Sequence, residues 1–225
     1  MIRTTNLRKI YRMGNVEVKA LDGVDLTIGK GEFVGIMGPS GSGKSTLLHL
    51  LGLLDLQTTG DIWLDSIDVD RLTDYEKTMF RLYKLGYVFQ DYALVPELTV
   101  AENVCLPAML RSDRKEEEYR ADTVKILKQI GLSDRSSHLP RELSGGEQQR
   151  VAIARAIVNK PDILFADEPC ANLDTENSSV VLDLFDEINH ELKQTIIMVS
   201  HEDWHSKYFH RIIRLRDGKI VEDSG

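Results

Sequence analysis

The sequence is poor in cysteine, proline and aromatic residues, and it has no long apolar run. Its two cysteines, Cys105 and Cys170, lie far apart and outside any C-x-x-C motif, which indicates reduced, buried thiols rather than a disulfide or a metal centre. Six prolines and 16 glycines among 225 residues exclude collagen-like and low-complexity chains. The most apolar stretch, Leu47 to Leu54, is much shorter than the ~20 residues of a membrane-spanning helix, so we expect no span.

Basic residues are fewer than acidic residues. The chain has 28 Lys and Arg residues against 36 Asp and Glu residues, which gives a formal net charge of -8. Because a protein that binds nucleic-acid backbones needs a basic face, we expect no nucleic-acid partner. The first residues contain no apolar secretion signal, which predicts a cytoplasmic protein. With 42% hydrophobic residues, residues 1–225 are expected to form a single folded domain.

Short apolar segments predict a mixed α/β fold. The first thirty residues resemble three strands separated by turn signals at Met13-Gly14 and Asp22-Gly23, which favours an antiparallel lobe. A buried strand from Phe33 to Met37 then leads through a glycine-rich turn into a helix predicted over Lys44 to Leu54. Further strands alternate with helices and predict a mainly parallel sheet; they are expected at 86–89, 163–166, 196–199 and 212–215.

Residues 91–143 show no strand pattern and predict a helical insertion between the two parts of the core, 1–90 and 144–225. Helices are expected over 99–110 and 116–130. In the second of these, apolar residues are expected on one buried face: Val124, Leu127 and Ile130. A longer helix over 174–192 has a stripe that we assign to packing alone: Val181, Leu184, Phe185, Ile188 and Leu192.

A phosphate-binding motif lies between the strand and the helix that flank residues 38–45. The segment matches G-x-x-x-x-G-K-[ST], and a chance match is made improbable by its position between a strand and a helix. Backbone N–H groups at the start of the helix are expected to cradle ATP phosphates. Lys44 adds a positive charge, and the Ser45 hydroxyl is expected to bind Mg²⁺.

Two carboxylates follow the apolar strand 163–166. Because ligands of parallel α/β sheets bind at the carboxyl ends of strands, Asp167 is expected beside the phosphates, where it can hold Mg²⁺ through water. Glu168 is then the candidate general base for the attacking water. The alternative is a strand that merely ends in a solvated acidic turn.

Two further strand ends carry polar residues. His201 follows the strand 196–199 and is expected to contact a γ-phosphate oxygen or the catalytic carboxylate. Gln90 follows the strand 86–89 just before the insertion, where its amide could bind Mg²⁺ or water. The remaining histidines have no such position and are interpreted as surface or packing residues: His49, His138, His190, His205 and His210.

A second anion-binding helix start is predicted after Leu143. Ser144, Gly145 and Gly146 form a small-residue turn before a helix expected over 148–158, with Ser144 as its N-cap. An ordinary capped helix is the alternative. One nucleotide cannot easily occupy both this site and residues 38–45 within a single domain, which favours a functional role.

Taken together, these motifs resemble an ATP-binding cassette (ABC) ATPase over essentially the whole chain. Their order is Walker A at 38–45, Gln90, Leu-Ser-Gly-Gly-Glu at 143–147, Walker B at 163–168, the D-loop Asn172-Leu173-Asp174 and His201. The resemblance implies a P-loop NTPase core, ATP and Mg²⁺ as ligands, and a head-to-tail dimer. In that dimer ATP would lie between the signature of one subunit and the phosphate-binding residues of the other. The signature residues are Ser144, Gly145, Gly146 and Glu147. The phosphate-binding residues are Gly38, Pro39, Ser40, Gly41, Ser42, Gly43, Lys44, Ser45 and Thr46. It also implies that Tyr11, otherwise an ordinary strand residue, stacks on adenine.

Finer similarity points to one subgroup of these ATPases. Segments such as 37–39, 52–55, 87–90 and 98–107 resemble the ATPases of lipoprotein-release, macrolide-export and antimicrobial-peptide transporters. This implies a permease partner and a location on the cytoplasmic face of the membrane. Import of a small solute is the alternative, and an ATPase of DNA maintenance is disfavoured because no long coiled coil interrupts the chain. Cys170-Ala171 departs from the family, which usually has Thr or Ser followed by a small residue there.

Overall fold

The computed structural model describes residues 2–14 and 16–225. Within these residues the strands are β1 Ile2–Met13, β2 Val16–Ile28, β3 Phe33–Met37, β4 Thr59–Leu64, β5 Ile67–Asp68, β6 Leu85–Val88, β7 Ile163–Asp167, β8 Thr195–Val199, β9 Arg211–Arg216 and β10 Lys219–Asp223. The α-helices are α1 Lys44–Leu51, α2 Asp74–Lys84, α3 Val100–Met109, α4 Glu116–Gln129, α5 Gly145–Ile157 and α6 Thr175–Leu192. The predicted α/β class is confirmed.

The predicted antiparallel lobe is a four-stranded sheet with the order β2-β1-β4-β5. The expected turn at Asp22-Gly23 is wrong, because β2 continues through both residues. Leu7 pairs with Val24 and Arg8 pairs with Asp22, so Gly23 is the extra residue of a β-bulge. Its φ of +86° explains why glycine lies there.

The second sheet has the order β10-β9-β3-β8-β7-β6 and is parallel except for β10. Every residue of β3, β7 and β8 is buried, as expected of central parallel strands covered on both faces. Because these strands run in the same direction, the residues that follow them meet at one edge of the sheet. That edge carries the candidate site.

Two helix predictions need correction at their ends, because α5 begins at Gly145 rather than Gln148 and α1 also ends early. Helix α1 stops at Leu51 rather than Leu54, because Gly52 caps it and Leu53 takes a left-handed φ of 57°. Helix α2 was not predicted; none of its residues is fully buried, and Phe80 packs partly buried against the core. A capping box between Thr73 and Glu76 marks its start.

The buried faces of two helices also differ from prediction. Val124 is 67% exposed, because the face of α4 that packs inward is rotated to Thr123, Ile126 and Leu127. In α6 the predicted stripe is buried except for Leu192, which is 56% exposed. Leu192 is the last helical residue, and Lys193 then takes a left-handed φ of 51°, so the end of the helix projects past the core.

The core divides into two clusters on the two sides of the parallel sheet. One joins the insertion helices to α5 and α6, and the other joins α1 to the antiparallel sheet. Cys105 and Cys170 are free and buried, as predicted. Across residues 2–14 and 16–225, every helix is too short or too polar to span a bilayer.

Candidate active site

The phosphate-binding loop connects β3 to α1 and depends on two glycines. Gly38 and Gly43 have φ angles of +144° and +103°. A Cβ atom on Gly38 would lie 2.2 Å from the Leu215 carbonyl oxygen, and one on Gly43 would lie 2.3 Å from the Ala20 carbonyl oxygen. Any side chain would therefore move the loop away from the backbone that supports it.

Lys44 lies across this loop. Its ammonium group donates to the carbonyl oxygens of Gly38 and Pro39 at 2.9 and 3.0 Å, and the residue is 6% exposed. An ammonium group has three donors, so one remains for a phosphate oxygen. The Ser42 hydroxyl is buried without a hydrogen-bond partner among the described residues, which is the kind of polar atom that a ligand satisfies.

Asp167 reaches the start of α1 from the end of β7. The Ser45 hydroxyl donates to Asp167 Oδ1 at 2.9 Å, which joins the two residues predicted to bind Mg²⁺. His49 Nε2 lies 3.3 Å from Asp167 Oδ2. His49 was interpreted as a surface or packing residue; it is partly exposed, and its contact with Asp167 was not predicted. The missed signal is its spacing of four residues from Ser45, which places both on one face of α1.

Glu168 and His201 form the second polar pair of the site. His201 Nδ1 lies 3.1 Å from Glu168 Oε2, and His201 Nε2 lies 3.3 Å from Glu202 Oε1. Glu168 has a φ of 44°, a conformation that non-glycine residues rarely adopt, immediately after β7. Its N–H still bonds to the Val199 carbonyl at 3.2 Å, so the strained residue is held against β8.

Lys44 of the loop, Glu168 and His201 line one cleft of about 500 Å³ at the carboxyl edge of the parallel sheet, whereas Ser45 and Asp167 lie outside its lining. Its lining comprises Met37, Gly38, Pro39, Ser40, Lys44, Glu168, His201, Asp203 and Arg214. The phosphate-binding loop, the candidate base and its histidine partner are thus together, although they are far apart in sequence. The arrangement can place a phosphate chain next to a carboxylate that faces water.

The signature residues lie elsewhere. Ser144 is the N-cap of α5, as predicted, and forms a capping box with Glu147: the Ser144 N–H donates to the carboxylate at 2.8 Å. This backbone hydrogen bond holds the pKa of Glu147 below its usual value. Ser144 is exposed and the signature does not line the cleft. A Cβ atom on Gly146 would lie 2.5 Å from Asn177 Oδ1, so the turn stays small.

Tyr11 and Gln90 do not line the cleft. The Tyr11 hydroxyl donates to Asp55 Oδ2 at 2.8 Å, and Lys9 Nζ lies 4.8 Å from the ring centroid. Burial and the Asp55 hydrogen bond raise the pKa of Tyr11, whereas a hydrogen bond with Thr46 lowers it. Because Thr46 belongs to α1, this second hydrogen bond shows that the Tyr11 hydroxyl lies beside that helix. Gln90 is exposed after β6, and its backbone carbonyl accepts from Asn172 Nδ2 at 3.1 Å.

The donor set fits Mg²⁺ in kind. Ser45, Asp167 and Gln90 offer hydroxyl, carboxylate and amide oxygens, which are the ligands that this cation prefers. The described residues contain no group of three or more His, Cys, Asp or Glu side chains able to hold a metal unaided.

Two buried residues share a cavity with Glu168 and His201. A cavity of about 150 Å³ is lined by Cys170 and His205 as well as by Glu168 and His201. Burial raises the pKa of the Cys170 thiol to about 12, so it is an unreactive packing residue. His205 Nδ1 lies 2.7 Å from the Ser200 hydroxyl, and burial lowers the pKa of its ring.

Comparison with known proteins gives consistent matches. A family model described as "ABC transporter" matches residues 21–171. The lipoprotein-releasing system ATP-binding protein LolD of Aquifex aeolicus is 47% identical over 98% of this chain and 96% of its own length. The macrolide export ATP-binding/permease protein MacB of Chlorobaculum tepidum is 48% identical over 99% of this chain, which spans only 34% of that relative.

A solved structure matches the whole chain as well. It is a dimeric post-hydrolysis state of the ATP-binding cassette MJ0796, from Methanocaldococcus jannaschii, bound to ADP and Pi. The two chains superpose with a TM-score of 0.92 at 42% identity, covering 100% of this chain and 98% of the other.

Proposed function

This chain belongs to the ABC transporter family and is an ATP-binding cassette ATPase, and we propose that two copies bind ATP between them and use its hydrolysis to drive a membrane permease. The observation that carries the proposal is the contact of 3.1 Å between Glu168 and His201 in the cleft that also contains the phosphate-binding loop. A base without a nearby phosphate site, or the reverse, would not support hydrolysis.

ATP binding is assigned to the loop and to α1. Backbone N–H groups at the start of α1 would bind the phosphates at the positive end of the helix dipole, and Lys44 would contribute its remaining donor. Ser45 and Asp167 would hold Mg²⁺, with Gln90 as a further oxygen donor, and the ion would neutralise charge on the phosphates. Tyr11 is proposed to stack on adenine.

Hydrolysis is assigned to Glu168 and His201. Glu168 accepts a proton from the attacking water, so that the water oxygen can bond to the γ-phosphorus as the bond to the leaving oxygen breaks. The His201 ring holds Glu168 Oε2 and orients the carboxylate. A positioned general base contributes roughly 10²–10⁴-fold to a rate.

A second copy is proposed because the signature lies outside the cleft of its own chain. Ser144 is exposed at the start of α5, where N–H groups and the helix dipole can bind a phosphate of ATP held by a partner. The similar MJ0796 cassette is dimeric in its solved structure. The head-to-tail arrangement would complete two ATP sites at one interface.

The permease and the direction of transport are proposed from the relatives. MacB is named for macrolide export and LolD for lipoprotein release, which favours export or work on membrane-associated cargo. The chain would then act at the cytoplasmic face of the membrane through its permease. Capturing the tagged protein from detergent-solubilised membranes and identifying its partner by mass spectrometry tests this; a solute-import permease would contradict it.

Glu168→Gln tests the catalytic assignment. We expect the purified variant to retain ATP binding, to lose ATP turnover by at least about 10²-fold, and to form an ATP-dependent dimer in size-exclusion chromatography. The matched control is Glu117→Gln on the exposed side of α4, which should leave turnover and dimerisation unchanged. Turnover by Glu168→Gln at the rate of the unmodified protein would remove Glu168 from the role of base.

A further inference from the structure

A second cavity of about 580 Å³ lies at the opposite edge of the parallel sheet from the nucleotide cleft. Its lining includes Pro161 and Asp162, which precede β7, and Gln194, which precedes β8. Because both strands run in the same direction, residues before them are at the amino edge and residues after them are at the carboxyl edge. The cavity is therefore separate from the site described above.

The floor of this cavity is apolar. Ile126 of α4 and Ile157 of α5 contribute buried side chains, and Leu192 of α6 contributes one that is 56% exposed. Each comes from a different helix, so the cavity joins the helical insertion to the core. Leu192 is the one residue of the predicted apolar stripe of α6 that is not buried in the core. A volume of this size with an apolar lining is typical of a small-molecule pocket.

The rim of the cavity is basic, which is unusual for a chain of net charge -8. Lys30, Lys125 and Lys193 form no ion pair with the residues that the structure describes. Lys160 is the fourth rim lysine and lies 3.3 Å from Asp122. Three ammonium groups therefore surround an apolar floor without a counter-charge of their own.

The two carboxylates of the lining do not neutralise these lysines. Asp122 is already engaged by Arg114 as well as by Lys160. Asp162 pairs at 2.7 Å with Lys84, which lies outside the cavity. A ligand that complements such a site has a negatively charged head group and an apolar body.

We propose that this cavity binds an amphipathic monoanion, a carboxylate on an acyl chain of fatty-acid type. The acyl chain lies on Ile126, Ile157 and Leu192, where it loses contact with water. The carboxylate lies among the ammonium groups of Lys30, Lys125 and Lys193. A bound ligand contacts α4 and α6 at once and so ties the insertion to the core.

The test is calorimetric titration of the full chain with laurate, without nucleotide, so that its outcome is independent of ATP hydrolysis. We expect laurate to bind, acetate not to bind, and dodecyltrimethylammonium to bind at least tenfold more weakly. Reversing two rim charges together, Lys125→Glu with Lys193→Glu, should weaken laurate at least tenfold, or about 1.4 kcal/mol. Reversing Lys77 and Lys128, which do not line the cavity, should have no effect.

A second pair of variants tests the apolar floor without disturbing the fold, because both residues are exposed. Leu192→Asn should weaken laurate several-fold, whereas Val124→Asn, on the outer face of α4, should not. The proposal is overturned if laurate does not bind, if the cationic detergent binds equally well, or if ATP displaces laurate. Binding to anionic vesicles with no binding of free laurate also overturns it.

Discussion

Gly43→Ala is the substitution whose effect follows most directly from the backbone. Gly43 has a φ of +103°, and an added Cβ atom would lie 2.3 Å from the Ala20 carbonyl oxygen in β2. The left-handed conformation costs about 1–2 kcal/mol for a non-glycine residue. Crowding in a packed region adds about 1–3 kcal/mol, so we expect a loss of roughly 2–5 kcal/mol in the free energy of unfolding.

The same shift should weaken ATP binding, because relieving the contact moves the N–H groups that we propose bind the phosphates. Losing one or two hydrogen bonds to a charged group costs about 1.5–3 kcal/mol each, which corresponds to a tenfold to more than a hundredfold rise in Kd. Urea unfolding measures the stability, and titration with a fluorescent ATP analogue measures the affinity.

Gly131→Ala is the matched control. Gly131 also has a positive φ, +69°, but nothing lies within 4 Å of an added Cβ atom, and the residue is outside the site. We expect a loss of about 1–2 kcal/mol in stability and unchanged ATP affinity. If Gly43→Ala matched this control in both stability and affinity, the reasoning from backbone contact would be refuted.

Three further changes separate the contributions of individual side chains. His49→Leu removes the contact of His49 with Asp167. Because the His49 side chain is exposed by more than a third, the free energy of unfolding should fall by no more than about 1 kcal/mol. ATP turnover should fall several-fold. Ser144→Ala removes the cap of α5 and should cost about 1 kcal/mol at neutral pH. The Ser144 backbone N–H, which Ser144→Ala keeps, and then the Ser144 hydroxyl lower the pKa of Glu147 from 4.5, so the stability that Glu147 contributes is complete above pH 4.5 and is lost as the pH falls through the lowered value. Only the part that the hydroxyl contributes is missing in Ser144→Ala, so the penalty of this variant should shrink modestly at acid pH in urea unfolding. The pKa of His205 is lowered from 6.5 by burial, so below that pH the unfolded state binds more protons and stability falls; His205→Gln should flatten this dependence.

Each of these three has an outcome that contradicts it. His49→Gln, which keeps a hydrogen-bond donor, should recover turnover, and equal loss in both variants would remove the contact with Asp167 as the cause. A Ser144→Ala penalty that stays constant down to acid pH would show that the Ser144 hydroxyl does not contribute to the lowered pKa of Glu147. A His205→Gln variant whose free energy of unfolding depends on pH as steeply as that of the unmodified protein would contradict the assignment to His205.

The motifs were predictable because each is a local requirement of the chain. A glycine-rich turn between a strand and a helix, carboxylates after an apolar run, and Ser144 three residues before Glu147 all follow from backbone geometry and capping. The α/β class followed in the same way from buried strands alternating with helices. Each of these patterns spans only a few residues, so it can be identified from the sequence without knowing what packs against it.

The contacts within the site were decided by the tertiary structure. Ser45 and Asp167 are 122 residues apart, and Glu168 and His201 are 33 apart, so only the parallel sheet brings their atoms to within 3.1 Å. The role of His49 beside Asp167 was missed for the same reason.

The burial of individual helix faces could not be predicted from sequence either. Val124 and Leu192 are as apolar as their buried neighbours, but which side of a helix is covered depends on elements distant in sequence. The chain by itself determined the order of the elements and the chemistry available at their ends. Packing decided which of those ends meet and which apolar side chains remain exposed at a second cavity, because burial is a property of the whole assembly of elements.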